Sequence, residues 1–257
     1  SVPDRRGEQD PMEIKHVGVI GAGQMGNGIA HVFALAGYDV ALHDVSEAAL
    51  EKAIAIIRGN LDRQVGRGRI TAEQRDEAMG RITAQKELAA LGATDLVIEA
   101  ATEREDIKNK IFEAIVPHLG PDTILTSNTS SISITRLAAG TDRPERFMGF
   151  HFMNPVPVMQ LVELIRGIAT DKETYDTLLA VVGKLGKIAA SSEDYPAFIV
   201  NRILIPMINE AVYALYEGVG SVQSIDTSMK LGANHPMGPF ELADFIGLDT
   251  CLAIMNV

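Results

Sequence analysis

The most restrictive segment of the chain lies between positions 16 and 44. There an apolar run, HVGVI (16–20), passes directly into Gly21-Ala22-Gly23-Gln24-Met25-Gly26 and then into IAHVFALAG (29–37). A second apolar run, DVALHD (39–44), ends in Asp44. Strand, glycine turn, helix, strand and acid in this order form a dinucleotide-binding unit. Gly21 permits the tight turn, Gly23 lets the backbone approach a pyrophosphate, and Gly26 lets helix and strand pack closely. Ala22, Gln24 and Met25 complete the loop, and the helix N-terminus offers N–H groups and the positive end of its dipole to phosphates. Asp44 is placed to accept hydrogen bonds from ribose hydroxyls and would repel a 2′-phosphate, so NAD is favoured over NADP. His43 beside it reads as a bystander.

The pattern continues with DLVIEA (95–100), TILTSN (123–128) and FMGFHF (147–152), each separated by helical stretches. Strands spaced by helices predict a parallel sheet covered on both faces. A third strand is expected near Arg81 to Thr83, after a segment longer than one crossover needs. In that segment Ser46 caps a helix carrying Leu50, Ile54 and Ile57, and Thr71 starts another that ends by Gly80. Together they predict a helical hairpin inserted into the sheet topology. After Asp171 the chain turns helical: 174–187 reads as an amphipathic helix and KIAAS (187–191) as one further strand. The stretch 196–217 is apolar on nearly all sides, which predicts burial against several neighbours, with Pro196 at the first helical position and Pro206 kinking the middle. Two shorter helices follow, one capped by Ser224 or Asp226 and one beginning near Pro239.

Composition narrows the class of ligand. The 257 residues carry 23 Lys and Arg against 34 Asp and Glu, a net charge of −11, which argues against a nucleic-acid binder. An anionic ligand therefore needs a local positive site. With Cys251 as the one cysteine there is no intrachain disulfide and no cysteine zinc cluster, as expected of a protein in a reducing cytoplasm. No run of about 20 apolar residues is available to cross a bilayer, so no membrane partner is expected.

Candidate chemistry clusters at strand ends. Glu99 to Glu103 follows the fourth strand and Ser127 to Ser131 the fifth, where small polar groups suit a nicotinamide or substrate oxygen. His151 lies in FMGFHFMNPVPVMQLVELI, whose central prolines mark a turn between two extended runs. If those runs pair about position 157, Glu163 falls opposite His151, where its carboxylate would orient the imidazole and favour its protonated form. Oxidising a secondary alcohol requires removal of the hydroxyl proton, and a Glu–His pair is a credible acid/base unit for that step. Asn201 and Arg202 interrupt the most apolar helix, and a polar amide there needs a partner or a ligand.

The motifs GAGQMG, SNTSSI, HFMNPVPVMQLVEL, FIVNRIL and NHPMGPFELADFIGLDT resemble the single-function 3-hydroxyacyl-CoA dehydrogenases, above all the bacterial 3-hydroxybutyryl-CoA dehydrogenases, over nearly everything after Met12. The resemblance implies an α/β fold: a Rossmann-type, mostly parallel, doubly wound sheet with an inserted helical hairpin, followed by a smaller all-helical domain. Residues 1–11 are then a flexible leader or tag remnant, 12–193 the NAD-binding domain, and 194–257 a helical domain for substrate binding and dimerisation, cut short at Val257 relative to the family. The resemblance further implies His151 as catalytic base, Glu163 as its partner, and Ser130 and Asn201 as groups holding the substrate oxygen. Glu103, Lys108 and Asn154, with Ser130, help hold the dinucleotide, although Lys108 by itself reads equally as a solvated charge. Arg58, Arg63, Arg67 and Arg69, offset by Asp62, make the hairpin net positive, and Arg63, Arg67 and Arg69 are assigned to CoA. The expected reaction is reversible NAD-dependent oxidation of a short (S)-3-hydroxyacyl-CoA by a homodimer. The competing readings are a dehydrogenase of a free hydroxy or sugar acid in the same superfamily and a dinucleotide-binding protein without turnover.

Overall fold

In the computed structural model, which describes residues 11–256, the apolar runs become strands of one eight-stranded sheet. The expected leader lies, apart from Pro11, outside the described residues. β1 (His16–Ile20), β2 (Asp39–His43), β3 (Ile82–Gln85), β4 (Leu96–Glu99), β5 (Ile124–Ser127), β6 (Phe147–Phe152), β7 (Leu161–Arg166) and β8 (Ile188–Glu193) take the order β3-β2-β1-β4-β5-β6-β7-β8. All neighbours are parallel except β6 and β7. The strand order reverses direction between β1 and β4, and ligands of such sheets sit beyond the carboxyl ends of the strands at that point.

Contacts divide the chain into a first unit, up to Thr129 together with Ser133–Asp194, and a second made of Ser130–Ile132 and the chain from Tyr195 onward. In the first unit, α1 (Gln24–Leu35) follows the glycine turn, and α2 (Glu47–Gly66) with α3 (Ala72–Gly80) forms the hairpin between β2 and β3. Ser46 caps α2 by accepting from Ala49 N, and Thr71 with Gln74 closes a capping box on α3. The core is built where α1 meets the sheet. The Phe33 ring lies 5.2 Å from Tyr38 and 6.2 Å from both Phe150 and Phe152, edge to face. Since strand side chains alternate, the two Phe residues of β6 that face α1 leave His151 on the opposite face.

α4 (Glu105–Ile115), α5 (Ile134–Ala139) and α6 (Lys172–Lys184) complete this unit. α6 starts two residues before the expected Thr174 because Asp171 caps it, accepting from Thr174 N at 2.7 Å, and Gly186, at φ +68°, lies beyond its end.

Several expectations for the second unit need correction. α7 (Val200–Tyr216) does not begin at Pro196: Ala197 and Phe198 adopt left-handed φ of +63° and +54°, which no helical turn accommodates. Asn201 is consequently the second residue of the helix rather than an interruption within it. The helix continues through Pro206. α8 (Val222–Gly232) is capped by Ser221, not by Ser224 or Asp226. Asp226 instead reaches across to α9 (Pro239–Ile246), accepting from Phe240 N at 2.8 Å and Glu241 N at 3.1 Å. That supplies the cap that Gly238, lacking a side chain, cannot give. A third helix, α10 (Leu248–Met255), follows where two were expected in all. Nor is α7 buried on all sides in this chain: Ile203, Tyr213 and Tyr216 are exposed.

Candidate active site

Gly21 sits at φ +103°, and a Cβ on it would fall 2.6 Å from Ala100 O, so the turn from β1 packs directly on the end of β4. A Cβ at Gly26 would lie 1.7 Å from Gly21 O, while one at Gly23 would meet nothing within 4 Å. The loop is therefore tight against protein at Gly21 and Gly26 and open at Gly23, in front of α1. No side chain caps that helix and its first turn holds no acid, which leaves its leading amides for an anion. The Asp44 carboxylate accepts from Ala22 N and Ser46 N, both at 2.9 Å, and so fixes the loop to the end of β2. This donor set and this open cradle fit the pyrophosphate of a dinucleotide. Asp44, His43, Val45, Ile107 and Ile111 line an adjoining cleft of about 730 Å³, wide enough for an adenosine. Burial pushes the His43 imidazole below its ordinary pKa, which keeps it neutral.

At the carboxyl edge of β6, His151 pairs in register with Glu163 of β7, and Nδ1 lies 2.8 Å from Glu163 Oε2. Both side chains are buried. The antiparallel β6–β7 pair is what places an acid beside an imidazole, since residues directly opposite in such a ladder share a face. Because β1, β4, β5 and β6 run parallel, His151 lies at the same edge of the sheet as the glycine turn.

The other sequence-assigned residues divide into groups. Lys108 is not a solvated charge: it is buried and paired with Glu99, which also accepts from Ser127 Oγ at 2.8 Å and Ala101 N at 2.9 Å. Glu99 thereby locks the strand end on which Gly21 packs. Its signal in the sequence was a carboxylate inside an otherwise apolar run, which demands partners when buried. Glu103 is exposed and accepts from Thr129 Oγ1. Asn154 accepts from Gln24 Nε2 at 3.1 Å, which joins the β6–β7 turn to the glycine loop. Asn128 accepts from Phe152 N at 2.8 Å and so supports the end of β6. Ser130 and Asn201 are half-buried members of the second unit.

Arg63, Arg67 and Arg69 are exposed at the end of α2 and beyond it. With Gln64, Pro157 and Val158 they line a cleft of about 140 Å³. Asp62 is bonded by Arg75 at 3.0 Å, and the same Arg75 holds Asp76 at 2.8 Å. A neighbouring cleft of about 500 Å³ runs from Gly23 and Gly28 past Lys52 to Pro155 and Pro157, sharing Asn60 with the first. Among the described residues no group of three or more metal-binding side chains occurs, and no helix is long and apolar enough to cross a membrane.

Residues 16–195 match the family model described as 3-hydroxyacyl-CoA dehydrogenase, NAD binding domain, and residues 198–257 match the model of the C-terminal domain. The chain is 65% identical over 244 residues to a 3-hydroxybutyryl-CoA dehydrogenase of Bradyrhizobium diazoefficiens, covering 95% of this chain and 83% of the relative. It is 44% identical over 243 residues to a 3-hydroxyadipyl-CoA dehydrogenase of Escherichia coli, covering 95% of this chain and 51% of that protein. The crystal structure of (S)-3-hydroxybutyryl-CoA dehydrogenase PaaH1 from Ralstonia eutropha superposes with a TM-score of 0.93 at 50% identity, covering 95% of this chain and 86% of that one.

Proposed function

The chain belongs to the 3-hydroxyacyl-CoA dehydrogenase family, and on that footing we propose that it reversibly oxidises (S)-3-hydroxyacyl-CoA, with 3-hydroxybutyryl-CoA as the preferred substrate, to the 3-ketoacyl-CoA. The observation that carries this reading is the buried 2.8 Å contact between His151 Nδ1 and Glu163, at the same sheet edge as the glycine loop. NAD, when bound, supplies the two-electron acceptor. The glycine loop holds the pyrophosphate, Asp44 the ribose, and Glu103, Ser130 and Asn154 the remainder of the dinucleotide, while Lys108, buried against Glu99, supports that site from within rather than touching the ligand. Glu163 fixes the imidazole through Nδ1, so the substrate hydroxyl proton is taken at Nε2 and returned there in the reverse direction. The carboxylate also stabilises the imidazolium formed when the proton arrives. Ser130 and Asn201 are assigned hydrogen bonds to the reacting oxygen, and Arg63, Arg67 and Arg69 the anionic CoA arm.

A homodimer through the helical unit is part of the proposal, supported by the exposed apolar side chains of α7 to α10. A cytoplasmic setting is proposed as well, supported by the single free cysteine and the bacterial relatives.

The test is NADH oxidation with acetoacetyl-CoA and its longer homologues, set beside free acetoacetate. Turnover falling with chain length, and absent for the free acid, is the expected outcome. Turnover of the free acid alone would replace this reading with that of a hydroxy-acid dehydrogenase.

A further inference from the structure

Lys187 stands directly before β8, half-buried, and donates to two backbone oxygens: Val156 O at 2.7 Å and Met159 O at 2.6 Å. Among the described residues no carboxylate lies within ion-pair distance of it. Both acceptors belong to the turn that joins β6 to β7. Val158 N and Met159 N each donate to Pro155 O at 3.0 Å, closing one helical turn whose last carbonyls no backbone amide takes. A cation is the favourable group at such an end. The turn is fixed from its other side by close packing, since Val156 sits where a Cβ on Gly28 of α1 would come within 2.8 Å of it. Pro155 and Pro157 of this same turn form walls of both clefts at the hairpin.

We propose that Lys187 is a positioning residue for acyl-CoA binding: by holding the Val156 and Met159 carbonyls, it sets the wall that the Pro155–Met159 turn presents to the substrate. The inference rests on the reading of those clefts as the acyl-CoA site. It adds a residue that touches neither cofactor nor reacting atoms and lies 28 and 31 positions along the chain from the groups it holds.

The experiment compares wild type, Lys187→Met and Lys187→Arg in NADH-dependent reduction of acetoacetyl-CoA, with calorimetric binding of free CoA and amide hydrogen exchange across the turn. Loss of two charge-assisted hydrogen bonds in Lys187→Met should raise KM for acetoacetyl-CoA and Kd for CoA about tenfold, with kcat and KM for NADH changed less than about threefold. Exchange at Val158 and Met159 should quicken. Lys187→Arg keeps the charge and the donors and should recover most of the loss. Unchanged KM with unchanged exchange overturns the proposal, and so does a uniform decline of kcat and both KM values that arginine does not rescue. If wild type does not reduce acetoacetyl-CoA, the functional reading fails by itself, while exchange and CoA binding still decide whether Lys187 holds the turn for a CoA ligand.

Discussion

Along β6 all six residues are buried, and α1 packs Ile29, Phe33 and Ala34 into the same core; in the helical unit the buried cluster is Ile205, Ile208, Ala243 and Cys251. Ile203, Leu231 and Phe245 of that unit remain 68%, 82% and 65% exposed. Apolar content does not separate the two, since α7 is among the most apolar segments of the chain. What separates them is the sheet. A parallel sheet offers two continuous faces, so helices on either side can complete their burial within one chain. Four helices without a sheet leave faces unmatched, and each large side chain left in water forgoes about 1.5–3 kcal/mol. The first unit thus completes its burial within its own sequence, and the second leaves apolar side chains exposed in this chain.

If the chemistry also resides in the first unit, His151→Ala should reduce turnover of acetoacetyl-CoA by about 10²–10⁴-fold while calorimetric NADH binding stays within error of wild type. Normal turnover would remove the imidazole from the mechanism. A self-sufficient core predicts that Phe33→Ala costs about 3–5 kcal/mol in urea unfolding, because its ring is fully enclosed; a loss below about 1 kcal/mol would show that this core repacks freely.

Acid sharpens the contrast. His31 of α1 is 1% exposed and is driven to a pKa of about 4, chiefly by burial, against a smaller opposing effect of Gln64. The unfolded chain takes up a proton there near pH 6.5 and the folded chain does not. Stability is therefore complete above that value and falls as pH drops toward 4, by up to about 3 kcal/mol. His43, lowered by burial too, adds to the same slope. Urea midpoints between pH 7 and 4 should fall less steeply in His31→Gln, and an unchanged slope would discard the assignment. The smallest effect is expected at the helical surface. Leu231→Ser should alter unfolding of the dilute chain by no more than about 0.5 kcal/mol, yet weaken self-association seen by sedimentation. A large unfolding penalty would mean that Leu231 serves the fold of one chain.

Much of the first unit was legible because its signals are local. Glycines at fixed spacing, apolar runs of strand length, and a proline turn about which His151 and Glu163 count to one another all lie within a few dozen residues. The start of α7 was not legible: nothing in Pro196-Ala197-Phe198 announces two consecutive left-handed residues, because non-glycine residues reach that region only under tertiary constraint. Asp226 was recognised as a cap but given to its own helix, since sequence spacing cannot show that it reaches across to α9. The buried pairing of Lys108, which reads in sequence only as a dinucleotide residue or a solvated charge, and the contacts of Lys187 escaped for a related reason. A lysine is solvated by default, and only contacts distant in sequence, with Glu99 or with the β6–β7 turn, reveal otherwise.

The antiparallel join of β6 to β7 carries one more implication. Side chains of a strand alternate between faces with a period of two, so a slip of β7 by one residue against β6 would turn the carboxylate at 163 to the far side of the sheet. The same slip would pull Val162, Leu164 and Ile165 from the places that bury them. The register that pairs acid with imidazole is therefore guarded by the apolar residues on either side of the acid, and residues gained or lost in the 153–160 connection are taken up by that connection.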